Sequence, residues 1–300
     1  MKILKKIQKK VSDSLVIHDR ITKFMVKSEL LKNMLVTSNK LGIAKQKMTD
    51  SNVVVSLTTY GKRLYSVYLT IESIMQGTMK PNRIILWLQD DLKQEELPQS
   101  LLKQKDRGLE IYFTKDIRSY KKLIPTLKLC PDDIIITIDD DVLYEIDTIE
   151  RLVYAYKKDP HFVYACRVRK IAIDKKGNIL SYKKWKPIVN GSEPSSLNLP
   201  VGVGGVLYPP HCFTEEVFNE ERFMSLCPRA DDLWFWFMAK LKGYNAVKVY
   251  THDEAGMDFL TNMNVQDVAL AKSNLKDGGN DSQLLALMRE YDGMHCIQII

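Results

Sequence analysis

The chain has 300 residues, 45% of them hydrophobic and 27% charged, with a formal net charge of +7. That is an ordinary globular composition, enough for one large α/β domain or two smaller ones. Five scattered cysteines with no Cys-x-x-Cys pair speak against a disulfide framework or a zinc site and fit a reducing compartment.

The positive charge is unevenly placed. Residues 1–47 hold twelve Lys/Arg against three acids, a net of +9, which leaves −2 for the rest. Ile3, Leu4, Ile7, Val11 and Leu15 fall near helical spacing with lysines between them. This segment reads as a basic amphipathic arm that can lie on an anionic membrane, or as a helix docked on the body. One aromatic and one arginine in the arm argue against nucleic acid as its partner. No apolar run approaches the ~20 residues that cross a bilayer. Lys5-Lys6 follows Ile3-Leu4 at once, unlike a signal peptide. A cytoplasmic protein is expected, peripheral on the inner membrane face if the arm binds lipid.

From residue 52 the texture alternates. Val53–Leu57 is a predicted strand and Ser66–Met75 a helix. Arg83–Leu88 is a second strand, ending in Gln89-Asp90-Asp91; Lys93–Lys105 is a helix that stops at Gly108. Leu109–Phe113 is a third strand, and Ser119–Cys130 a short helix kinked at Pro125. Ile134–Ile138 is a fourth strand, closed by Asp139-Asp140-Asp141. This order predicts a doubly wound, mostly parallel α/β sheet.

Three aspartates at the carboxyl end of a buried strand lie where ligands bind in open α/β sheets. They repel one another unless a cation or protons neutralise them. A divalent ion carrying a phosphate is the natural partner, because hard cations take oxygen ligands. The second half reads less regularly: a helix Ile149–Lys157, a strand Phe162–Ile173, a turn at Asp174–Asn178 and a polar stretch 185–205. Such a stretch inside a domain is usually an active-site loop. A helix over Leu233–Leu241, a strand Ala246–Tyr250 and a terminal helix capped near Asn280-Asp281 complete the pattern.

Thr58-Thr59-Tyr60 after the first strand, the Asp-x-Asp cluster after the fourth, and Ala230-Asp231-Asp232-Leu233-Trp234 before a late helix resemble a GT-A glycosyltransferase. More narrowly, the chain resembles bacterial family-2-like enzymes of surface-polysaccharide synthesis over roughly residues 50–300. The resemblance implies a nucleotide-sugar-binding half, 48–145, and an acceptor and catalytic half, 146–300, behind the 1–47 arm. It implies transfer of a sugar from a UDP-type donor to a saccharide or lipid-linked acceptor, with inversion.

It also distributes roles. Thr58 and Tyr60 contact the base, Asp90 (or Asp91) the base or ribose, and Lys121 and Lys122 the donor; Arg63, by its position alone, is either within reach of a diphosphate or a solvated surface charge. Asp139 or Asp140 faces the ribose or sugar. Asp141, with Asp139, ligates Mn²⁺ or Mg²⁺ that steadies the leaving nucleoside diphosphate. Gly204 and Gly205 let the backbone approach the sugar and acceptor, and His252 is an additional metal ligand. Asp232, with Asp231 as the second choice, deprotonates the acceptor hydroxyl. The competing reading of Asp231-Asp232 is an N-cap. Gln-x-x-Arg-Trp, the mark of processive synthases, is absent, so one sugar per encounter is expected.

Two other functions compete. Asp139-Asp140-Asp141-Val142 also satisfies the haloacid-dehalogenase phosphatase pattern, with Asp139 as nucleophile, although that motif normally ends a first strand. A nucleotide-sugar-binding protein without turnover is the other.

Overall fold

The structure, a computed structural model, describes residues 18, 21–22, 24–253, 260–261 and 279–291. Its strands are β1 Val53–Thr58, β2 Arg83–Gln89, β3 Leu109–Thr114, β4 Ile134–Thr137, β5 Val142–Leu143 and β6 Phe162–Ala165. They continue with β7 Val168–Lys170, β8 Lys186–Pro187, β9 Asn198–Pro200, β10 Val206–Tyr208, β11 Asn245–Lys248 and β12 Leu260–Thr261. Seven of them form one sheet in the order β11-β6-β10-β4-β1-β2-β3. All pairings in it are parallel except those of β10, which runs antiparallel between β4 and β6. The fold class is therefore the Rossmann-like, mostly parallel α/β arrangement.

Both faces of this sheet are covered, so its inner strands are apolar without alternation. Val53, Val55, Leu57 and Ile136 pack with Ile71 and Ile74 of the helix Val67–Met75 and with Leu152 of the helix Thr148–Lys158. On the opposite face Ile135 and Tyr208 pack with Tyr120, Leu123 and the aromatic helix Asp231–Leu241. The chain steps from β1 to β2 to β3 and then returns to place β4 on the other side of β1. Strand order reverses between β1 and β4, and a ligand crevice opens at such a reversal.

Several elements differ from the sequence expectation. Pro98 splits the helix expected at 93–105 into a short turn at Gln94–Glu96 and a helix at Gln99–Lys105, because proline cannot donate within a helix. The single strand expected at 162–173 is two, since the chain leaves the main sheet after β6 and joins β8 and β9 as β7. Asp281 does not cap its own helix, Gly279–Glu290. Its carboxylate accepts from the Tyr182 N–H at 2.6 Å and the Ser181 hydroxyl at 2.9 Å, fastening that segment.

The expected arm is partly fastened to the body. Residues 24–36 are helical, and Gln76 donates to the Leu30 carbonyl at 3.0 Å. Gly42 donates to the Arg107 carbonyl and Ala44 to that of Pro81, each at 2.8 Å. A Cβ on Gly42 would lie 2.3 Å from Met75 Cγ, so only glycine fits there. The outward side of this segment carries Ile21, Phe24, Met25, Leu35 and Val36, all exposed. They recur at helical spacing. The lysine-rich start, 1–17, lies outside the described residues.

Candidate active site

Parallel pairing of β1 with β4, with Ser56 opposite Thr137, brings the segment after β1 against the aspartates after β4. Asp140 is buried, 5% exposed, and both its oxygens are occupied. Thr59 donates to Oδ2 at 2.5 Å and Arg63 Nη1 to Oδ1 at 2.7 Å. Burial pushes the Asp140 carboxyl above its ordinary range, and Arg63 works against that shift. Arg63 Nη2 also lies 3.2 Å from Asp141 Oδ2. Burial and the neighbouring Asp139 push Asp141 up to about 6. The Asp139 N–H donates to the Tyr144 hydroxyl at 2.9 Å, and that hydroxyl donates to the Val203 carbonyl at 3.1 Å. Tyr144 thus ties the acidic turn to the glycine loop.

Lys122 joins the two halves. Its Nζ lies 3.1 Å from Asp139 Oδ1 and 2.9 Å from Asp231 Oδ2, and the residue is 6% exposed. Burial opposes its charge, but Asp139, Asp231 and Asp232 outweigh burial and hold its pKa well above normal. Asp231 also accepts from the Ser119 hydroxyl at 2.9 Å. Asp232 accepts from the Gly202 N–H at 3.1 Å. Neither aspartate caps its helix, whose N-cap is Ala230 without a side-chain bond. Both carboxylates sit in the first turn and are spent on other elements. Burial, and then the Asp231 charge, push the Asp232 carboxyl up to about 7, with Lys122 pulling the other way.

Arg63, Ser119, Lys122, Asp139, Asp140, Asp141, Asp231 and Asp232 line one pocket of about 650 Å³, together with Thr58, Tyr60 and Lys121. Thr58 Oγ1 donates to the Trp87 carbonyl at 2.9 Å. Tyr60 is 43% exposed at the rim, with the Arg63 guanidinium 5.7 Å from its ring. Lys121 faces Asp116 at 2.5 Å. Asp90 is exposed on the turn after β2, and Gln89 lines the pocket in its place; β2 runs one residue beyond the expected end.

The glycine loop contributes differently from expectation. Gly205 has φ of 90°, and a Cβ there would meet Leu152, Tyr144 and Ile138, so it serves a core turn. Gly204 borders a separate cavity. The close approach occurs at Gly202, where a Cβ would lie 2.9 Å from both Asp232 Oδ1 and Lys122 Nζ. His252 is not brought to the aspartates: its Nε2 lies 3.2 Å from Asp147. With Glu145 it borders that other cavity, where Arg151 already ion-pairs with both carboxylates. Thr59, Ser119, Tyr144 and Gly202 are site residues that sequence reasoning missed; for Gly202 the Gly-Val-Gly-Gly run was the available signal.

The donor set suits a hard divalent ion. Asp140 is committed to Thr59 and Arg63, so Asp139 and Asp141 are the carboxylates that would hold it. Burial and then the Asp139 charge raise the Asp141 pKa although Arg63 is paired with it, and a bound cation would relieve that cost. One or two carboxylates with substrate phosphates is the usual Mg²⁺ arrangement.

No family model matches the chain, and no curated protein matches it in sequence. Solved structures match the chain at low similarity. A cytidylyltransferase from Leptospira borgpetersenii is 9% identical with a TM-score of 0.44, over 84% of this chain and 99% of that one. A mannosyltransferase from Pyrobaculum calidifontis, solved with GDP-Man and Mn²⁺, is 16% identical with a TM-score of 0.41, over 78% and 65%. A CMP:2-keto-3-deoxy-manno-octonic acid synthetase complexed with CTP is 12% identical with a TM-score of 0.39, over 76% and 100%.

Proposed function

We propose that this chain is a metal-dependent, inverting GT-A glycosyltransferase, using a nucleotide-sugar donor of the UDP type. The reading rests on one observation above all. Two groups of carboxylates, Asp139–Asp141 and Asp231–Asp232, line one pocket, and the Lys122 ammonium bridges Asp139 to Asp231. Two groups of carboxylates in different environments suit two different tasks.

In this mechanism Tyr60 stacks on the base and the Thr58 segment holds it. Arg63, held by Asp140, points a guanidinium at the diphosphate. Asp139 and Asp141 would hold a divalent ion, which would supply charge stabilisation to the departing nucleoside diphosphate. Asp232 takes the proton from the acceptor hydroxyl at its carboxylate oxygen. A base poised near neutral pH is efficient at that step. Lys122 keeps Asp231 and Asp139 charged and in place, so the base faces the reacting carbon from a fixed wall. The acceptor is a saccharide or a lipid-linked saccharide of surface-polysaccharide synthesis.

We also infer that the segment before residue 37 rests on an anionic membrane. Its net charge and the exposed Ile21, Phe24, Met25, Leu35 and Val36 support that partner. No described helix is long and apolar enough to cross a membrane.

The test is product identity. With Mn²⁺ and a panel of UDP-sugars, the chain releases UDP in an acceptor-dependent way. Release of pyrophosphate from CTP and a sugar acid would make it a nucleotidyltransferase instead. Hydrolysis of a phosphomonoester, with no nucleotide binding, would make it a phosphatase.

A further inference from the structure

Three adjacent aspartates repel one another, so the turn that carries Asp139, Asp140 and Asp141 must be held against its own charge. Thr59 and Arg63 hold the Asp140 side chain. The backbone of the turn is held by three other hydroxyl residues, Thr70, Ser73 and Tyr144, all buried. Thr70 and Ser73 lie three residues apart on the helix Val67–Met75 and so share one side of it. Thr70 Oγ1 donates to the Asp140 carbonyl at 3.0 Å, and Ser73 Oγ accepts from the Tyr144 N–H at 3.1 Å. The helix thereby grips both ends of the segment 140–144. The Tyr144 hydroxyl closes the segment on itself by accepting from the Asp139 N–H at 2.9 Å.

The same hydroxyl reaches the other half of the site. Its one proton goes to the Val203 carbonyl at 3.1 Å. Val203 is the middle residue of the turn Gly202–Gly204, and the Gly202 N–H is the donor to Asp232. One oxygen therefore holds the segment that presents Asp139 and Asp141 and the turn that meets Asp232. With that proton committed, the phenol has none to offer to chemistry. Thr70, Ser73 and Tyr144 are not among the described residues lining the pocket, so whatever they do for the site goes through the backbone they hold.

Resting on the proposed metal-dependent reaction, we infer that Tyr144 is a positioning residue for both halves of the site: its hydroxyl sets the carboxylates that would take the divalent ion and the glycine turn that holds the base. Groups that orient metal ligands from outside the coordination sphere are worth about 10–100-fold in affinity. Tyr144→Phe keeps the ring and strands the Asp139 N–H and the Val203 carbonyl together.

The experiment uses the full chain. Electron paramagnetic resonance of free Mn²⁺ in the presence of UDP gives the metal affinity, and ¹⁵N-glycine spectra without metal give the state of the glycine turn. The Gly202 resonance is the one missing from Gly202→Ala. Tyr164→Phe is the control: it removes a hydroxyl bond of 2.7 Å to the Asp159 carbonyl, from a residue that does not line the pocket. Tyr144→Phe weakens Mn²⁺ binding about tenfold and shifts the Gly202 resonance, whereas Tyr164→Phe changes neither. Thr70→Val, which keeps the side-chain shape, weakens Mn²⁺ binding and leaves the Gly202 resonance in place, because the Thr70 hydroxyl bonds only to the acidic turn. Parent Mn²⁺ affinity in Tyr144→Phe overturns the inference, as does an unmoved Gly202 resonance there or an equal loss of affinity in Tyr164→Phe. Should Tyr144→Phe not fold, parent affinity in Thr70→Val overturns it instead. Failure of the parent chain to bind Mn²⁺ with UDP is a different result: it removes the metal-dependent reading, and the inference falls with it.

Discussion

Asp231 and Asp232 are neighbours in sequence, yet their replacement by asparagine should shift stability in opposite directions. Asp232 stands at about 7 in the folded chain against 3.8 for an ordinary aspartate. Between those values the folded chain keeps the proton and the unfolded chain does not. The stabilising contribution of the protonated acid is therefore complete below about pH 4 and is lost as pH rises through about 7. At about 1.4 kcal/mol per unit, the full penalty at alkaline pH is of order 4 kcal/mol. Asp232 retains some contact with solvent and shares its charge with Asp231 and Lys122, so about half of that is expected in practice. Asp232→Asn removes the penalty and keeps an oxygen for the Gly202 N–H. It should gain about 2 kcal/mol over the parent between pH 5 and pH 8, while transfer activity is lost. Asp231→Asn instead takes a partner from the buried Lys122 and should cost about 2–3 kcal/mol at pH 8. Urea unfolding without metal, followed by tryptophan fluorescence at pH 5 to 8, measures both. A destabilised Asp232→Asn at pH 8, or an advantage independent of pH, would refute the reasoning.

Other outcomes follow from the same geometry. Gly202→Ala should leave the unfolding midpoint nearly unchanged and reduce kcat about a hundredfold, because its methyl group displaces the Asp232 and Lys122 side chains; circular dichroism and steady-state rates separate the two effects. Mn²⁺ affinity should weaken as pH falls through about 6, where the Asp141 carboxyl gains its proton; electron paramagnetic resonance of free Mn²⁺ reads this directly, and a flat profile from pH 5 to 8 counts against Asp141 as a ligand. The paired substitution Phe24→Ser and Leu35→Ser should abolish co-sedimentation with anionic vesicles without lowering thermal stability. Unchanged vesicle binding removes those side chains from the contact.

The side of the pocket built by Thr58–Tyr60 and Asp139–Asp141 was legible because it is local. An isoleucine run closed by aspartates, and a Thr-Thr-Tyr turn after β1, each announce a strand end within a few residues. Parallel pairing then brings the two together with little further information. The side around Asp231 and Asp232 depends on distant contacts. Gly202 meets Asp232 only because β10 runs antiparallel beside β4 and delivers the loop 201–205 to the pocket. Asp231-Asp232 reads in sequence as a base or as a cap, and the bonds to Ser119, Lys122 and Gly202 show that neither carboxylate caps the helix. His252 reads equally well as a ligand or a surface residue, since nothing in the residues around it reveals the Glu145 and Asp147 that it joins.

The antiparallel placement of β10 also bears on how the chain is made. Translation releases β1 to β4 before the strand that covers the open side of β4 exists. Until some 70 further residues emerge, Ile134, Ile135 and Ile136 form an exposed sheet edge of high β-propensity, with charge only at its two ends, Asp133 and Asp139. Such an edge recruits foreign strands as readily as its own. Substitutions that delay the seating of β10 should therefore lower soluble yield before they alter the stability of the molecules that do fold.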